Sequence, residues 1–371
     1  MPTILMCLFI LFIGIVILQF IYYVLLFGNF SFSKKQNTTL KKISISVIVC
    51  AKNNEEQIIN YFPLLAAQEY PDFEIILIDN ASSDTTLDIF EEFEKKYDSV
   101  RLVKVENNEA FWGNRKFALT LGIKAAKKEY LLFTDADCFP KSKDWISQMS
   151  SQFTLQKTIV LGYHSFEKIP GSFLNKIIRF ENVLAATQYF SWAKLGKPFR
   201  GIGKNLAYKK DEFFKVNGFI DHMKIRSGDD ELFINQVADS KNTAICSSPE
   251  SFTYSKPKSS YKDWKEQIRI QAATSTYFKG FDQAQLRLFF ITQLLFFLAP
   301  ILLLIFQYQW ITVVSLIGFR YLFVGISLGF SAGKLQEKDV MYWFPIIELI
   351  LIFTQLKIYS ANIYSKPIHW K

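Results

Sequence analysis

The sequence predicts an α/β domain with a mostly parallel sheet, combined with transmembrane helices. Three observations carry this. Strand-like and helix-like segments alternate between Ile43 and Asp135. Long apolar runs lie at both ends of the chain. Acidic turns follow the apolar strands.

The elements follow in order. Ile4 to Phe27 carries no charge and exceeds the roughly 20 residues that cross a bilayer. It is no typical secretory signal, because Met1-Pro2-Thr3 is not basic and the apolar stretch is too long. Ile43 to Val49 reads as a strand, Ala51 to Asn54 as a turn and Glu55 to Gln68 as a helix. Phe73 to Ile78 is a second strand that ends at Asp79-Asn80. Ser82-Ser83-Asp84 can cap a helix over Thr85 to Tyr97. Val100 to Val105 is a third strand, and Gly113 to Lys128 a helix with a basic, Ala-rich face. Tyr130 to Thr134, apolar and aromatic, is a buried strand that ends at Asp135-Ala136-Asp137.

Past Pro140 the pattern loosens. Gly171 to Lys194 is amphipathic, with Leu174, Ile177, Ile178, Leu184 and Ala185 at helical spacing. Two placements fit it: along a membrane surface, or packed on the sheet. Three more apolar runs follow: Leu288 to Phe306, Trp310 to Phe330 and Met341 to Ile358. Three full spans would leave Lys366 and Lys371 outside, against the usual charge bias, so an interfacial or re-entrant last segment is the alternative. The expected organisation is a transmembrane helix over 4–27, a domain over 43–271 and a membrane region over 288–358.

Of the 371 residues, 50% are hydrophobic and 37 are Phe, which is too apolar for an ordinary soluble enzyme. The net charge of +9 includes Lys34, Lys35, Lys41 and Lys42 just after the first span, which places the polar domain in the cytoplasm of a multi-pass cell-membrane protein. The lysines are scattered rather than clustered on one motif, which argues against nucleic acid as a partner. Cys7, Cys50, Cys138 and Cys246 show no paired spacing, so neither a disulfide framework nor a zinc site is expected. His164, His222 and His369 are too dispersed for a histidine metal site.

The chemistry lies in the turns. Two acids one residue apart, at the C-terminal edge of an α/β sheet, offer hard oxygen ligands to a divalent cation that bridges a diphosphate. Such pairs are also common as solvated loop starts, so the ordered set matters more than one turn. Gly228-Asp229-Asp230-Glu231 opens a helical stretch, Leu232 to Ala238.

Ser46 to Asn53, Ile78 to Thr85, Thr134 to Cys138, Gly201 to Tyr208 and Ser227 to Asp230, in that order, resemble the family 2 inverting glycosyltransferases of GT-A fold. The membrane-embedded members, distantly cellulose and hyaluronan synthases, are the type it resembles. The resemblance covers about Ile43 to Gln271. It implies a Rossmann-like GT-A domain that transfers a hexose from a nucleotide-sugar donor to a lipid-linked or glycan acceptor near the membrane. It implies that Asp79 accepts a hydrogen bond from the nucleotide base, with Ala51 and Asn53 also on the donor. Asp137, with Asp135 alongside, would hold Mg2+ or Mn2+ against the diphosphate. Arg115 and Lys116 would meet the phosphates, or form a solvated helix face. Asp229 or Asp230 would be the general base; the family's usual acidic pair favours Asp230, and alignment on Leu232 favours Asp229. One of the two can instead cap the helix. Asn205 and Gln267 would face the acceptor.

Two departures stand out. Asn80 occupies a position where the family often has a second Asp. The segment Trp264 to Gln271 keeps Gln267 but lacks the Arg-Trp pair of the polymer synthases, which weakens a reading as a processive enzyme. A haloacid-dehalogenase-like phosphatase also combines an Asp-x-Asp strand end with a later Gly-Asp-Asp. Its nucleophile follows the first strand of the core, whereas three strands precede Asp135 here. A catalytically silent scaffold is a third class, against which the full set of acidic turns argues. Finally, Arg320 and Glu348 lie inside apolar runs joined by the polar stretch Ser331 to Asp339, and are expected to pair or to line a polar path.

Overall fold

In the computed structural model, residues 2–34, 41–106, 115–225 and 227–364 are described. The chain divides into two units: an α/β unit of Lys35–Gly171 and Gly196–Ser259, and a helical unit of Met1–Lys34, Ser172–Leu195 and Ser260–Pro367.

The α/β unit is built outward from β1 (Ile45–Ala51), whose seven residues are all buried. A Val- and Ile-rich run without charge suits a strand covered on both faces. It pairs in parallel with β2 (Phe73–Asp79), which pairs in parallel with β3 (Val100–Lys104). On its other side β1 pairs in parallel with β4 (Tyr130–Asp135). The short strands β5 (Cys138–Pro140), β6 (Ile159–Leu161), β7 (His164–Phe166), β8 (Leu206–Lys209), β9 (Thr243–Ile245) and β10 (Thr253–Ser255) follow. The main sheet has the order β3-β2-β1-β4-β8-β6-β9, with β8 antiparallel to both β4 and β6. A second sheet has the order β5-β10-β7.

β1 runs on to Ala51 and β2 to Asp79, beyond the predicted ends, because the ladder continues through Ala51↔Asp79 and Cys50↔Asp135. The next helix is Glu55–Ala66, and Thr86–Lys96 follows β2. The helix before β4 is described over Arg115–Ala125; the predicted Gly113 and Asn114 lie outside the described residues. It stops short of Lys128 because Lys127 donates its N–H to Glu74 Oε1 (2.6 Å) and Lys128 to Ser46 Oγ (3.2 Å). Gly122 lets this helix approach β2: a Cβ there would meet Ile78 Cδ1 at 2.1 Å. Val47, Val49, Ile75, Leu77 and Leu132 pack with Phe62, Phe90, Trp145 and Phe153 in one core.

Among the described residues of the helical unit, four helices are long and apolar enough to cross a membrane: Thr3–Ser31, Gly280–Ile305, Trp310–Lys334 and Lys338–Tyr364. The amphipathic segment forms the helix Phe173–Lys194, started by the Ser172 side chain. Neither predicted placement anticipated its partners. Ser191 Oγ donates to Phe27 O (3.1 Å), and the Arg179 guanidinium donates to Glu337 and Asp339 at 2.8 Å each. It is a member of the apolar bundle.

Arg320 and Glu348 do pair. Arg320 is fully buried; its Nη1 donates to Glu348 Oε2 at 2.5 Å and its Nη2 donates to Glu348 Oε1. Nε donates to Gln19 Oε1 (2.7 Å) and Nη2 also to Gln293 Oε1 (2.9 Å). The guanidinium lies 4.6 Å from the Phe296 ring centroid. One cation thus ties together residues of all four apolar helices.

Candidate active site

The chain places β2 and β3 on one side of β1 and then crosses back to lay down β4 on the other. Ligands of doubly wound sheets bind outside the carboxyl ends of the strands at such a switch point. Here those ends carry Ala51, Asp79 and Asp135.

Asp79 is buried, and its Oδ2 accepts from Ser82 N–H at 3.3 Å. Its buried Oδ1 has no partner among the described residues. A buried oxygen without a donor is costly, about 1–3 kcal/mol, and is a common mark of a ligand position. Ala51 fixes the neighbouring turn, its carbonyl accepting from Asn80 N–H (2.9 Å). Asn53 adopts φ +54°, a region asparagine tolerates, and its Oδ1 accepts from Ser83 N–H at 2.8 Å. It ties the loop after β1 to the loop after β2.

Asp135 and Asp137 offer carboxylate oxygens, and Cys138 a sulfur, within 4.8 Å of one another. The two carboxylates suit a hard divalent cation. Cys138 does not: burial pushes its thiol pKa well up, and its Sγ donates to Asp137 Oδ1 at 3.1 Å. Two basic side chains already engage the acids. Arg115 donates to Asp135 through Nη2 and to Asp229 Oδ2 through Nε at 3.1 Å, so Asp135 and Asp229 share one guanidinium. Lys204 Nζ donates to both oxygens of Asp137, at 3.1 and 2.9 Å. Burial raises the pKa of Asp137, but the adjacent Lys204 ammonium outweighs it and holds the carboxyl below the usual range.

Asp229 and Asp230 differ in their partners. Asp230 starts the helix Glu231–Val237: its Oδ1 accepts from Glu231 N–H (2.7 Å) and its Oδ2 from Gly203 N–H (2.5 Å). Among the described residues it has no basic partner. Burial first, then the carboxylates of Asp229 and Glu231, push its pKa up to about 7. Glu231 itself is paired with Arg200 at 2.6 Å.

Two expected binding residues are engaged by hydrogen bonds within the chain, Lys116 first. It is fully buried, and its Nζ donates to the carbonyls of His222 (2.9 Å), Ile225 (2.5 Å) and Ser227 (2.8 Å). It pins the loop that leads into Asp229. Asn205 is engaged in the same way. Its Nδ2 donates to Tyr163 O and Ser251 O, both at 2.7 Å, and its Oδ1 accepts from Trp145 Nε1 at 3.0 Å. Gln267 stands on the helix Tyr261–Thr274, in the helical unit.

The sequence alone gives Lys204 no role, although it stands in the motif Gly201 to Tyr208. The signal was a lone lysine inside a small-residue turn. Beside it, Ser255 Oγ lies 3.4 Å from Lys204 Nζ and 3.1 Å from His164 Nε2.

Paired carboxylates at the switch point of a mostly parallel sheet, with a later acidic helix start, fit a GT-A-like α/β core. Residues 46–227 match the sequence profile described as Glycosyl transferase family 2. The chain thus carries a family 2 glycosyltransferase domain. It is 32% identical over 122 residues to the poly(ribitol-phosphate) β-glucosyltransferase of Bacillus spizizenii, covering 32% of this chain and 19% of that one. It is 37% identical over 93 residues to the poly-β-1,6-N-acetyl-D-glucosamine synthase of Staphylococcus epidermidis, covering 25% of this chain and 21% of that one. The matches thus span about a fifth of the length of these curated relatives. Among solved structures, a mannosyltransferase of Pyrobaculum calidifontis in complex with GDP-Man and Mn2+ aligns with a TM-score of 0.58 at 17% identity. That alignment covers 95% of this chain and 98% of that one, and it shows the fold.

Proposed function

We propose that this chain is a membrane-bound, metal-dependent inverting glycosyltransferase, moving a hexose from a nucleotide-sugar donor to a lipid-linked or membrane-proximal glycan acceptor. The observation that carries it is the convergence of Asp135 and Asp229 on Arg115, beside Asp137 and at the sheet's switch point. The unpartnered Oδ1 of Asp79 supports a nucleotide base as the ligand of that strand end. Asn80, in place of a second acid, leaves Asp79 as the anionic acceptor there.

Asp135 and Asp137 would hold the cation, Mg2+ or Mn2+. When bound it supplies neutralisation of charge on the leaving diphosphate. Arg115 would steer Asp135 and Asp229 toward the donor. Asp230 would take the proton from the acceptor hydroxyl as it attacks the anomeric carbon from the face opposite the leaving group. Its pKa near 7 suits a base at neutral pH, and Asp229 is engaged with Arg115. Lys116 would act by position alone, holding the loop before Asp229.

The apolar helices support a membrane location, with the catalytic unit on the side of Lys34, Lys35, Lys41 and Lys42, hence cytoplasmic. The phosphatase alternative has no support: the family match is to glycosyltransferases, and Asp135 ends the fourth strand rather than the first.

The test uses the full chain in detergent or nanodiscs, with UDP- and GDP-sugars, Mn2+ or Mg2+, and a membrane lipid extract as acceptor. Nucleoside diphosphate release with an inverted anomeric product is expected. Phosphomonoester hydrolysis, or no release from any donor, would overturn the reading.

A further inference from the structure

We infer that Lys204 is a resident counter-cation of this site, holding Asp137 until a donor arrives and then turning to the donor's diphosphate. The inference rests on the metal-dependent reading above.

The position of Nζ carries it. It bridges both oxygens of Asp137, at 3.1 and 2.9 Å, on the carboxylate that would ligate the cation. An added cation therefore meets a carboxylate already engaged. Asp135 is engaged separately, by Arg115. Two basic side chains face three carboxylates, Asp135, Asp137 and Asp229, leaving one net negative charge. A nucleotide-sugar diphosphate with a divalent cation brings no net charge. Asp137 can exchange partners, and the freed ammonium then has an anion beside it in the diphosphate.

The anchoring of the turn makes the exchange local. Lys204 lies in the turn Gly203–Asn205. Its carbonyl accepts from Thr134 Oγ1 (3.2 Å) and Thr253 Oγ1 (2.9 Å). Asn205 is fixed by three hydrogen bonds. The main chain is thus held while a flexible four-carbon stem carries the ammonium. Among the described residues the other hydrogen-bond partner of Nζ is Ser255 Oγ, at 3.4 Å, and it is neutral. Lys204 is thereby distinguished from Lys116, whose ammonium is enclosed by three carbonyls.

The test measures Mn2+ binding by electron paramagnetic resonance on the full chain in detergent, alone and with UDP or GDP added separately. K204M is compared with wild type, D137N and K204R, all matched by melting temperature. K204M should bind Mn2+ alone about tenfold more tightly than wild type, since no ammonium has to leave Asp137. In the presence of Mn2+ it should bind the nucleoside diphosphate about tenfold more weakly. K204R, which keeps a cation, should stay close to wild type in Mn2+ affinity. Wild-type Mn2+ binding that D137N loses and K204M leaves unchanged would overturn the role of Lys204 and leave the metal reading standing. No Mn2+ bound by wild type or K204M, with or without nucleotide, would overturn both.

Discussion

Replacing Glu348 by Gln tests whether the buried ion pair organises the apolar bundle. The substitution keeps the shape and removes the charge. Arg320 would retain Gln19 and Gln293 as acceptors but lose its counter-ion while fully buried. Breaking a buried pair by removing one partner costs about 3–5 kcal/mol. At roughly 2 °C per kcal/mol for a unit of this size, the apparent Tm should fall by about 6–10 °C. Changing both residues, R320L with E348Q, removes the orphaned charge. It leaves the oxygens of Gln19 and Gln293 without their donor, about 1–3 kcal/mol each. The double variant should therefore be less destabilised than the sum of the singles, with a coupling of at least about 3–5 kcal/mol, the cost of the orphaned charge. The assay is thermal unfolding of the full chain in one detergent, read as a double-mutant cycle. A double variant that falls by the sum of the singles, or further, would refute the argument.

Other outcomes follow from the α/β unit. D137N should reduce donor hydrolysis by about 10²-fold or more, through loss of cation chemistry, with little change in Tm; unaltered turnover would remove Asp137 from the site. Transfer should rise with pH through about 7, as Asp230 loses its proton, and D230N should be about 10²–10⁴-fold slower and lack that limb. The same raised pKa makes a stability contribution that is present below about 3.8 and lost as pH rises through about 7. D230N should therefore gain on wild type in unfolding measurements from pH 4 to pH 8, by at most about 4 kcal/mol. K116M should lower Tm by several degrees while leaving nucleoside diphosphate affinity unchanged, because its ammonium serves the carbonyls of His222, Ile225 and Ser227.

The parallel strands were legible because buried strands are written in side-chain type alone: ISVIVCA admits few other readings. The acidic turns were legible for a related reason, since carboxylates that follow such strands must emerge at the sheet edge. Arg320 and Glu348 were legible because an apolar surrounding leaves a charge few choices. Lys116 and Asn205 were not. Each stands one residue from positions that face the cleft, and side-chain direction there depends on carbonyls and a tryptophan brought in from distant segments. Arg115 and Lys116 look alike in sequence, yet one reaches the carboxylates and the other is enclosed by a loop. The helix Phe173–Lys194 failed for another reason. Its amphipathic pattern reports a buried face and cannot say what buries it.

The turn Gly203–Asn205 shows how closely position and chemistry are bound together here. Three successive residues serve three tasks: Gly203 N–H holds Asp230, Lys204 holds Asp137, and Asn205 locks the turn to Tyr163, Ser251 and Trp145. Gly203 lacks a positive φ, so alanine suits its backbone, and the constraint is spatial. A Cβ there would lie 3.2 Å from Asp230 Oδ2 and 3.3 Å from Asp230 Cβ. Asp230 is tied to its own helix start, so it would yield by a few tenths of an ångström, away from Gly203 N–H. A misplacement of about 1 Å can cost about 10²-fold in rate, so a shift of this size should cost several-fold. G203A should therefore lower kcat several-fold with the nucleoside diphosphate affinity unchanged, because the three atoms nearest the new methyl group all belong to Asp230. Measured together, kcat and diphosphate affinity separate this from a general loosening of the fold. If both change in parallel, or if kcat is unaffected, the hydrogen bond from Gly203 is not what positions Asp230.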